Sequence, residues 1–228
     1  MAAAEPALTV RRNFPRPDPA HVEALTGVPV GWIIDAMGRQ GAIDYRIRPL
    51  TTLTAFTGVA LAVRCRARDN LAAYAAICHA QPGDVMVIET GDFEPASVVG
   101  DILLGVAKNK GMIGCVTDGM VRDIDGINEV GMPVFARGLS PNSPFKDGPG
   151  EIGLSVVIGG VAVHSGDIIV ADKNGVAVVP REKAAAVVNS LQAVSKKEAQ
   201  MDALVRGGAK EPDWLKATFD AKGILFVD

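Results

Sequence analysis

Apolar and polar positions alternate with two different periods around the middle of the chain. Val85 to Ile88 form a short apolar run, followed by the loop Glu89-Thr90-Gly91-Asp92-Phe93-Glu94-Pro95. In the next stretch, VVGDILLGVAKNKG, residues Val99, Ile102, Leu103, Val106 and Ala107 recur at helical spacing, and Gly111 follows a lysine-bearing last turn. The pattern predicts a helix with Asp101 in or near its first turn. MIGCVTDG then predicts a strand ending in the turn residues Asp118-Gly119, with Arg122 and Asp123 just beyond. In parallel α/β units, strand ends and helix starts meet at one edge, where ligands collect. A carboxylate at a helix start, a guanidinium and a second carboxylate are therefore expected to converge on one crevice.

The flanking pattern extends this picture. Asp18-Pro19 reads as a cap and first helical position for AHVEALTG, and VGWIIDAMGRQG as a second short helix. IDYRIRPL and GVALAVRC read as strands, and RARDNLAAYAAICHA as a helix capped by Asp69 or Asn70. After the central unit come a short helix, IDGINEVG, a strand, MPVFARG, and the long loop LSPNSPFKDGPGEIG, a length that is uncommon unless functional. LSVVIGGVAV, IIVAD and VAVVP are short β-branched strands separated by Ser-Gly and Asn-Gly turns, a hairpin signature. The last part of the sheet is thus expected to be antiparallel or mixed. From Arg181 to Arg206 a long helix carries Val187, Leu191, Val194, Met201 and Val205 on one stripe, and Glu198 falls on that stripe. A short helix with Trp214, Leu215 and Phe219 and an apolar tail close the chain, a combination that docks on a core or a neighbouring subunit.

Composition narrows the function classes. The 228 residues suit one domain, 1–228, with residues 1–12 expected to be disordered and 181–228 forming a helical extension on a neighbouring subunit. A net charge of -3 and 5% aromatic residues provide neither the basic stripe nor the stacking platform of a nucleic-acid binder. No run of 18 apolar residues occurs and the N-terminus is broken by Glu5 and Pro6, so a cytoplasmic protein with no membrane partner is expected. Cys65, Cys78 and Cys115 lack CxxC spacing and read as buried thiols. His164, Asp167 and Asp172 sit in or beside turns and read as structural, His21 as solvated and His79 as a helix-end residue.

Two carboxylates without a Cys or His cluster suit a hard cation such as Mg²⁺, which takes few protein carboxylates and leaves positions for water and ligand. A 2-oxo acid offers a carboxylate and a keto oxygen to such a site. Arg122 would hold these oxygens, the amides near Ile102 and Leu103 would cradle the carboxylate, and Asp101 would transfer a proton. The bland alternatives are Asp101 as a helix-start charge, Asp123 as a cap and Arg122 as a surface ion pair. For Glu198 the alternative is neutralisation by Lys197 or a partner's arginine.

Asp101, twenty residues, then Arg122-Asp123, set in GDILLGVAKNKGMIGCVTDGMVRDIDGINEVGMPVFARG, resembles the signature of the superfamily of 4-hydroxy-4-methyl-2-oxoglutarate aldolases and regulators of ribonuclease activity A. The similarity runs from RNFPRPDP through GGVAVHSGDIIVADKNGVAVVP to the C-terminal helices. The resemblance implies an α/β fold, a swivelling β/α/β sandwich of phosphohistidine-domain type with a mixed sheet. It also implies a homo-oligomer, trimer or dimer of trimers, with the active site between subunits. The implied chemistry is that of a class II pyruvate aldolase with oxaloacetate decarboxylase activity, dependent on Mg²⁺ or Mn²⁺. By resemblance Gly100, Asp101, Ile102 and Leu103 bind the pyruvyl carboxylate, Arg122 binds substrate and stabilises the enolate, and Asp123 holds the metal. Glu198 of the adjacent subunit matches the glutamate that completes the metal site. The loop at 140–153 and the segment 30–41 depart from the aldolase pattern, which leaves the acceptor half of the substrate open. Members that regulate an RNA-degrading endonuclease share the fold, so a non-catalytic regulator is the alternative. A methyltransferase reading finds no glycine-rich cofactor loop.

Overall fold

The computed structural model describes residues 6–227. The chain enters as a short strand β1 (Leu8–Val10) and then α1 (Pro19–Leu25), where Asp18 accepts a hydrogen bond from the Ala20 amide at 2.9 Å. Next come α2 (Val30–Ala36), β2 (Arg48–Pro49), β3 (Phe56–Cys65), α3 (Leu71–His79) and β4 (Asp84–Glu89). The central unit consists of β5 (Ser97–Val99), α4 (Asp101–Asn109), β6 (Gly114–Thr117), β7 (Met120–Val121), α5 (Ile124–Val130), β8 (Val134–Ala136) and β9 (Gly138–Leu139). The remainder is β10 (Gly150–Ile152), β11 (Ser155–Ile158), β12 (Val161–His164), β13 (Ile168–Asp172), β14 (Gly175–Val179), α6 (Ala184–Arg206) and α7 (Asp213–Lys222).

The ten-residue β3 joins two halves of a mixed sheet. It pairs in parallel with β4, which continues to β6 and β8, and antiparallel with both β13 and β10. Both faces of β3 are buried, which its run of Val, Ala and Leu requires. Leu61 and Val63 face the helices α3, α4 and α5, whereas Ala60 and Ala62 face the hairpins β11–β12 and β13–β14. A third core lies between β13–β14 and the helices α1, α2 and α6. The result is a mixed α/β fold in four layers: helices, sheet, hairpins, helices. A separate three-stranded parallel sheet, β5-β7-β9, sits beside the main sheet and carries the central residues.

Several expectations need correction. Residues 43–47 are no strand, because Asp44 accepts a hydrogen bond from the Arg46 amide at 2.8 Å and turns the chain; extended pairing is confined to Arg48–Pro49. Val99 belongs to β5 and α4 starts only at Asp101, because Gly100 is still fully extended. The buried side of α4 is Leu103, Leu104 and Ala107, leaving Ile102 69% and Val106 47% exposed. Cys78 is exposed, not buried. In the stretch 1–12, residues 1–5 lie outside the described ones, but Leu8–Val10 pairs with β10 and is ordered by it. In the extension 181–228, of which residue 228 is outside the described residues, Ala184, Val187 and Leu191 pack into the chain's own core. Among the described residues no helix is long and apolar enough to cross a membrane.

Candidate functional site

β5 and β7 run in parallel and deliver the start of α4 and the start of α5 to the same edge. The Arg122 amide donates to the Val99 carbonyl at 3.1 Å, tying the two deliveries together. Gly100, Asp101, Ile102, Leu103, Arg122 and Asp123 all line one crevice, so the residues singled out from spacing do converge. Ser143, Pro144 and Lys146 of the long loop between β9 and β10 form its other wall, with Asn70, Tyr74 and Ser97 behind.

Asp123 occupies the residue before α5, yet its side chain makes no capping hydrogen bond, and its backbone is left-handed at φ 58 and ψ 44. A non-glycine residue there costs on the order of 1 kcal/mol, although Asp tolerates the region better than most. Such a backbone, held at the rim of a crevice, points to function rather than to helix capping. The carboxylate pairs with Arg122 Nε at 3.0 Å and is 42% exposed, so it can accept further ligands. Arg122 Nη1 also donates to the Ser143 hydroxyl, which orients the guanidinium across the crevice.

The walls are tight around these groups. A Cβ at Gly100 would stand 2.7 Å from Asp123 Oδ2 and 3.3 Å from Arg122 Nε, so only glycine lets the chain pass so close. A Cβ at Gly126, in the first turn of α5, would stand 2.7 Å from Asp101 Oδ2. Asp101 accepts a hydrogen bond from the Ile102 amide at 2.7 Å through one oxygen only, in keeping with both the helix-start reading and the site reading. Leu103 is buried in the core, so only its backbone amide can serve a ligand.

Glu198 is not in the crevice. It lies in a groove with Asp35, Gly38, Arg39, Val194 and Lys197, and among the described residues it makes no ion pair. Neutralisation by Lys197 within the chain is therefore not observed. No group of three or more His, Cys, Asp or Glu able to hold a metal is found among the described residues. The oxygen donors of the crevice, two carboxylates, nonetheless have the hardness and low number that suit Mg²⁺ or Mn²⁺.

Asp118, near this site in sequence, serves otherwise. It is 2% exposed and accepts hydrogen bonds from the Thr90 amide at 2.6 Å, the Thr90 hydroxyl at 2.8 Å and the Asp92 amide at 3.1 Å. Burial raises its pKa, and the Thr90 and Asp92 donors partly offset that rise. Asp167 and Asp172 are structural too: Asp167 accepts from the His164 and Arg181 amides, and Asp172 from the Val30 and Asn174 amides. Burial pushes the thiols of Cys65 and Cys115 up to about 12, which leaves them unreactive. Ser143, Lys146, Asn70 and Tyr74 were not identified individually from sequence. The unusual length of the 140–149 loop and its departure from the aldolase pattern were the signals, and they carried no residue-level information.

A model of the RraA-like family, described as Aldolase/RraA, matches residues 31–178. The chain is 36% identical over 179 residues to a protein of Halalkalibacterium halodurans named "Putative 4-hydroxy-4-methyl-2-oxoglutarate aldolase", covering 78% of this chain and 84% of that one. In structure it is similar to Streptomyces coelicolor RraAS2, described as an unusual member of the RNase ES inhibitor RraA protein family, with 28% identity and a TM-score of 0.71 over 84% of this chain and 100% of that one. An uncharacterized protein from Pseudomonas syringae pv. tomato matches with 25% identity and a TM-score of 0.75, covering 86% of this chain and 97% of that one.

Proposed function

The chain belongs to the RraA-like (Aldolase/RraA) family, and within it we propose that this protein is a divalent-metal-dependent carbon-carbon lyase. It cleaves 4-hydroxy-2-oxo acids to pyruvate and decarboxylates oxaloacetate. The observation that carries this reading is Asp123: a left-handed, uncapping, half-exposed carboxylate at the start of α5, held against the Arg122 guanidinium.

Each residue then has a task. The Leu103 amide at the start of α4, joined by that of Ile102 once it exchanges the Asp101 oxygen for the ligand, receives the substrate carboxylate, and Gly100 keeps the wall low enough for it to approach. Arg122 donates to the keto oxygen and holds the charge that gathers there as the C3–C4 bond breaks. Asp101, through a water, takes the proton of the C4 hydroxyl, and the electrons of the broken bond pass to the pyruvate enolate. The same water returns the proton to C3, and pyruvate and the carbonyl fragment leave. With oxaloacetate the C4 carboxylate leaves as carbon dioxide with no proton removed, and C3 of the enolate takes its proton from the water held by Asp101, the resulting hydroxide being neutralised by a proton from solvent. A Mg²⁺ or Mn²⁺ ion held by Asp123, with Glu198 of a neighbouring copy, would supply Lewis acidity at the keto oxygen. The position of Glu198 outside this chain's own crevice, without an ionic partner among the described residues, supports a site shared between copies, as in the trimer or dimer of trimers that the resemblance implies.

The test is pyruvate release from oxaloacetate and from 4-hydroxy-4-methyl-2-oxoglutarate, with Mg²⁺, with EDTA, and with Arg122→Ala and Asp123→Ala. Metal-dependent turnover lost in both variants is expected. Wild type no faster than Mg²⁺ alone on both substrates would overturn the reading. The alternative, a binding protein that regulates an RNA-degrading endonuclease, is favoured by the likeness to RraAS2 and would then be tested by direct nuclease inhibition.

A further inference from the structure

We infer that Lys146 selects 2-oxo acids with a second carboxylate, by holding that carboxylate at the mouth of the Arg122–Asp123 crevice. The inference deepens the lyase reading and rests on it.

Four charged residues line the crevice: Asp101, Arg122, Asp123 and Lys146. Arg122 is already engaged by Asp123 and Ser143. Lys146 has no ionic partner among the described residues; its ammonium rests over the Tyr74 ring, 5.7 Å from the centroid. At an exposed site such a contact is weaker than a charge-assisted hydrogen bond to a carboxylate. An incoming carboxylate therefore displaces the ring and captures the ammonium.

The loop presents this lysine from a fixed platform. Asp69, 2% exposed, accepts hydrogen bonds from the Asp147 amide at 2.7 Å and the Gly148 amide at 3.1 Å, and from the Leu71 amide at 2.9 Å at the start of α3. On the other side of Lys146, the Phe145 amide donates to the Arg68 carbonyl at 2.8 Å, and the Asn70 amide donates to the Phe145 carbonyl at 3.0 Å. Lifting the loop would strip a buried carboxylate of two of its donors, so the backbone on both sides of Lys146 is pinned. The start of α4 forms the opposite wall. A substrate whose first carboxylate lies at that helix start and whose keto oxygen meets Arg122 extends its remaining carbons towards the loop, and a carboxylate there meets Lys146.

The test compares kcat/KM, in phosphate-free buffer with Mg²⁺, for 4-hydroxy-4-methyl-2-oxoglutarate and for 4-hydroxy-2-oxopentanoate, which lacks the second carboxylate. Lys146→Met is expected to lower the diacid value about 10- to 100-fold, mainly through KM, and to leave the monoacid value within about twofold. Lys146→Arg is expected to restore most of the diacid value. Equal losses on both substrates, or no loss on either, would overturn the assignment of Lys146 while leaving the lyase reading in place. Wild type inactive on both substrates would overturn this inference, and the lyase reading with it if oxaloacetate is not decarboxylated either.

Discussion

Asp118 and Asp123 stand five residues apart and close two neighbouring strands, yet their surroundings are opposite. Asp118 is sealed in a socket where two amides and a hydroxyl satisfy it, and no cation approaches within 4 Å among the described residues. Asp123 stands at the rim of a crevice, pairs with the adjacent Arg122 and leaves its capping position unused. A carboxylate whose acceptor sites are filled by neutral backbone donors fastens a loop, and one with open sites beside a guanidinium is equipped to bind. Sequence alone does not separate them, since both are aspartates in turns next to strands.

The difference is sharpest in what each deletion removes. Arg122→Ala is expected to lower turnover of oxaloacetate by about 10²- to 10³-fold, the loss typical of a donor to a developing oxyanion. Its thermal midpoint should move little, because an exposed ion pair contributes only about 0–1 kcal/mol. A large drop in midpoint together with activity would make Arg122 a structural residue and erase the contrast. Asp118→Asn is the reverse case. The amide nitrogen would face the Thr90 or the Asp92 donor, leaving a buried donor unsatisfied, so urea denaturation should show a loss of about 1–3 kcal/mol. Turnover by the protein that remains folded should stay within a few-fold of wild type.

The central charged triad was legible because its spacing survives any detail of the fold: a helix start, a strand end and the twenty residues between them bring Asp101 and Arg122-Asp123 to one edge. The mixed sheet and the β13–β14 hairpin were legible for the same reason, since an Asn-Gly turn specifies local geometry. LSVVIGGVAV, by contrast, is not one strand: it folds back at Gly159-Gly160 as the β11–β12 hairpin, and the Ser165-Gly166 turn passes on to β13 without closing a hairpin. What periodicity missed depended on partners distant in sequence. Ile102 and Val106 fit an apolar stripe, but the face buried against β7 and α5 is the one bearing Leu103, Leu104 and Ala107. Ser143 and Lys146 joined the site through partners far away in sequence: Ser97 and Pro95 hold the loop at Asn142, and Asp69, more than seventy residues earlier, pins it at Asp147 and Gly148. Along α6 the apolar stripe runs to Val205, interrupted by Glu198, but only its first half meets this chain's core, so the stripe could not say which chain Glu198 serves.

Burial on the Asp118 side can be read through a second kind of group. Cys115 lies on β6, three residues before Asp118, and with Cys65 it titrates near 12 in the folded state because it is shielded from water, against 9.0 when unfolded. Between those values the native state retains protons that the unfolded state releases. Stability is therefore fully present below pH 9 and falls as pH rises through the window, by up to about 1.4 kcal/mol per pH unit for each thiol. Urea midpoints from pH 8 to 10.5 should fall less steeply for Cys115→Ala than for wild type. Equal slopes would mean that water reaches this side of the sheet.

Gly126→Ala gives the smallest effect and the finest separation of the two regions. Its new methyl would lie 2.7 Å from Asp101 Oδ2, 2.9 Å from Asp101 Cβ and 3.1 Å from Asp101 Cγ; a side-chain rotation moves the carboxylate aside, and the Cβ contact requires a small shift between the starts of α4 and α5 as well. Within α5 the same change adds helix propensity, up to about 1 kcal/mol. The gain in propensity offsets the cost of that shift, so stability should stay within about 1 kcal/mol of wild type while turnover falls about three- to tenfold, through kcat, because the proton-transfer group is displaced from its water. Since the variant leaves the Asp118 socket untouched, a fall in stability matching the fall in rate would place Asp101 with the carboxylates that hold the fold. A fall in rate alone would place it with Asp123.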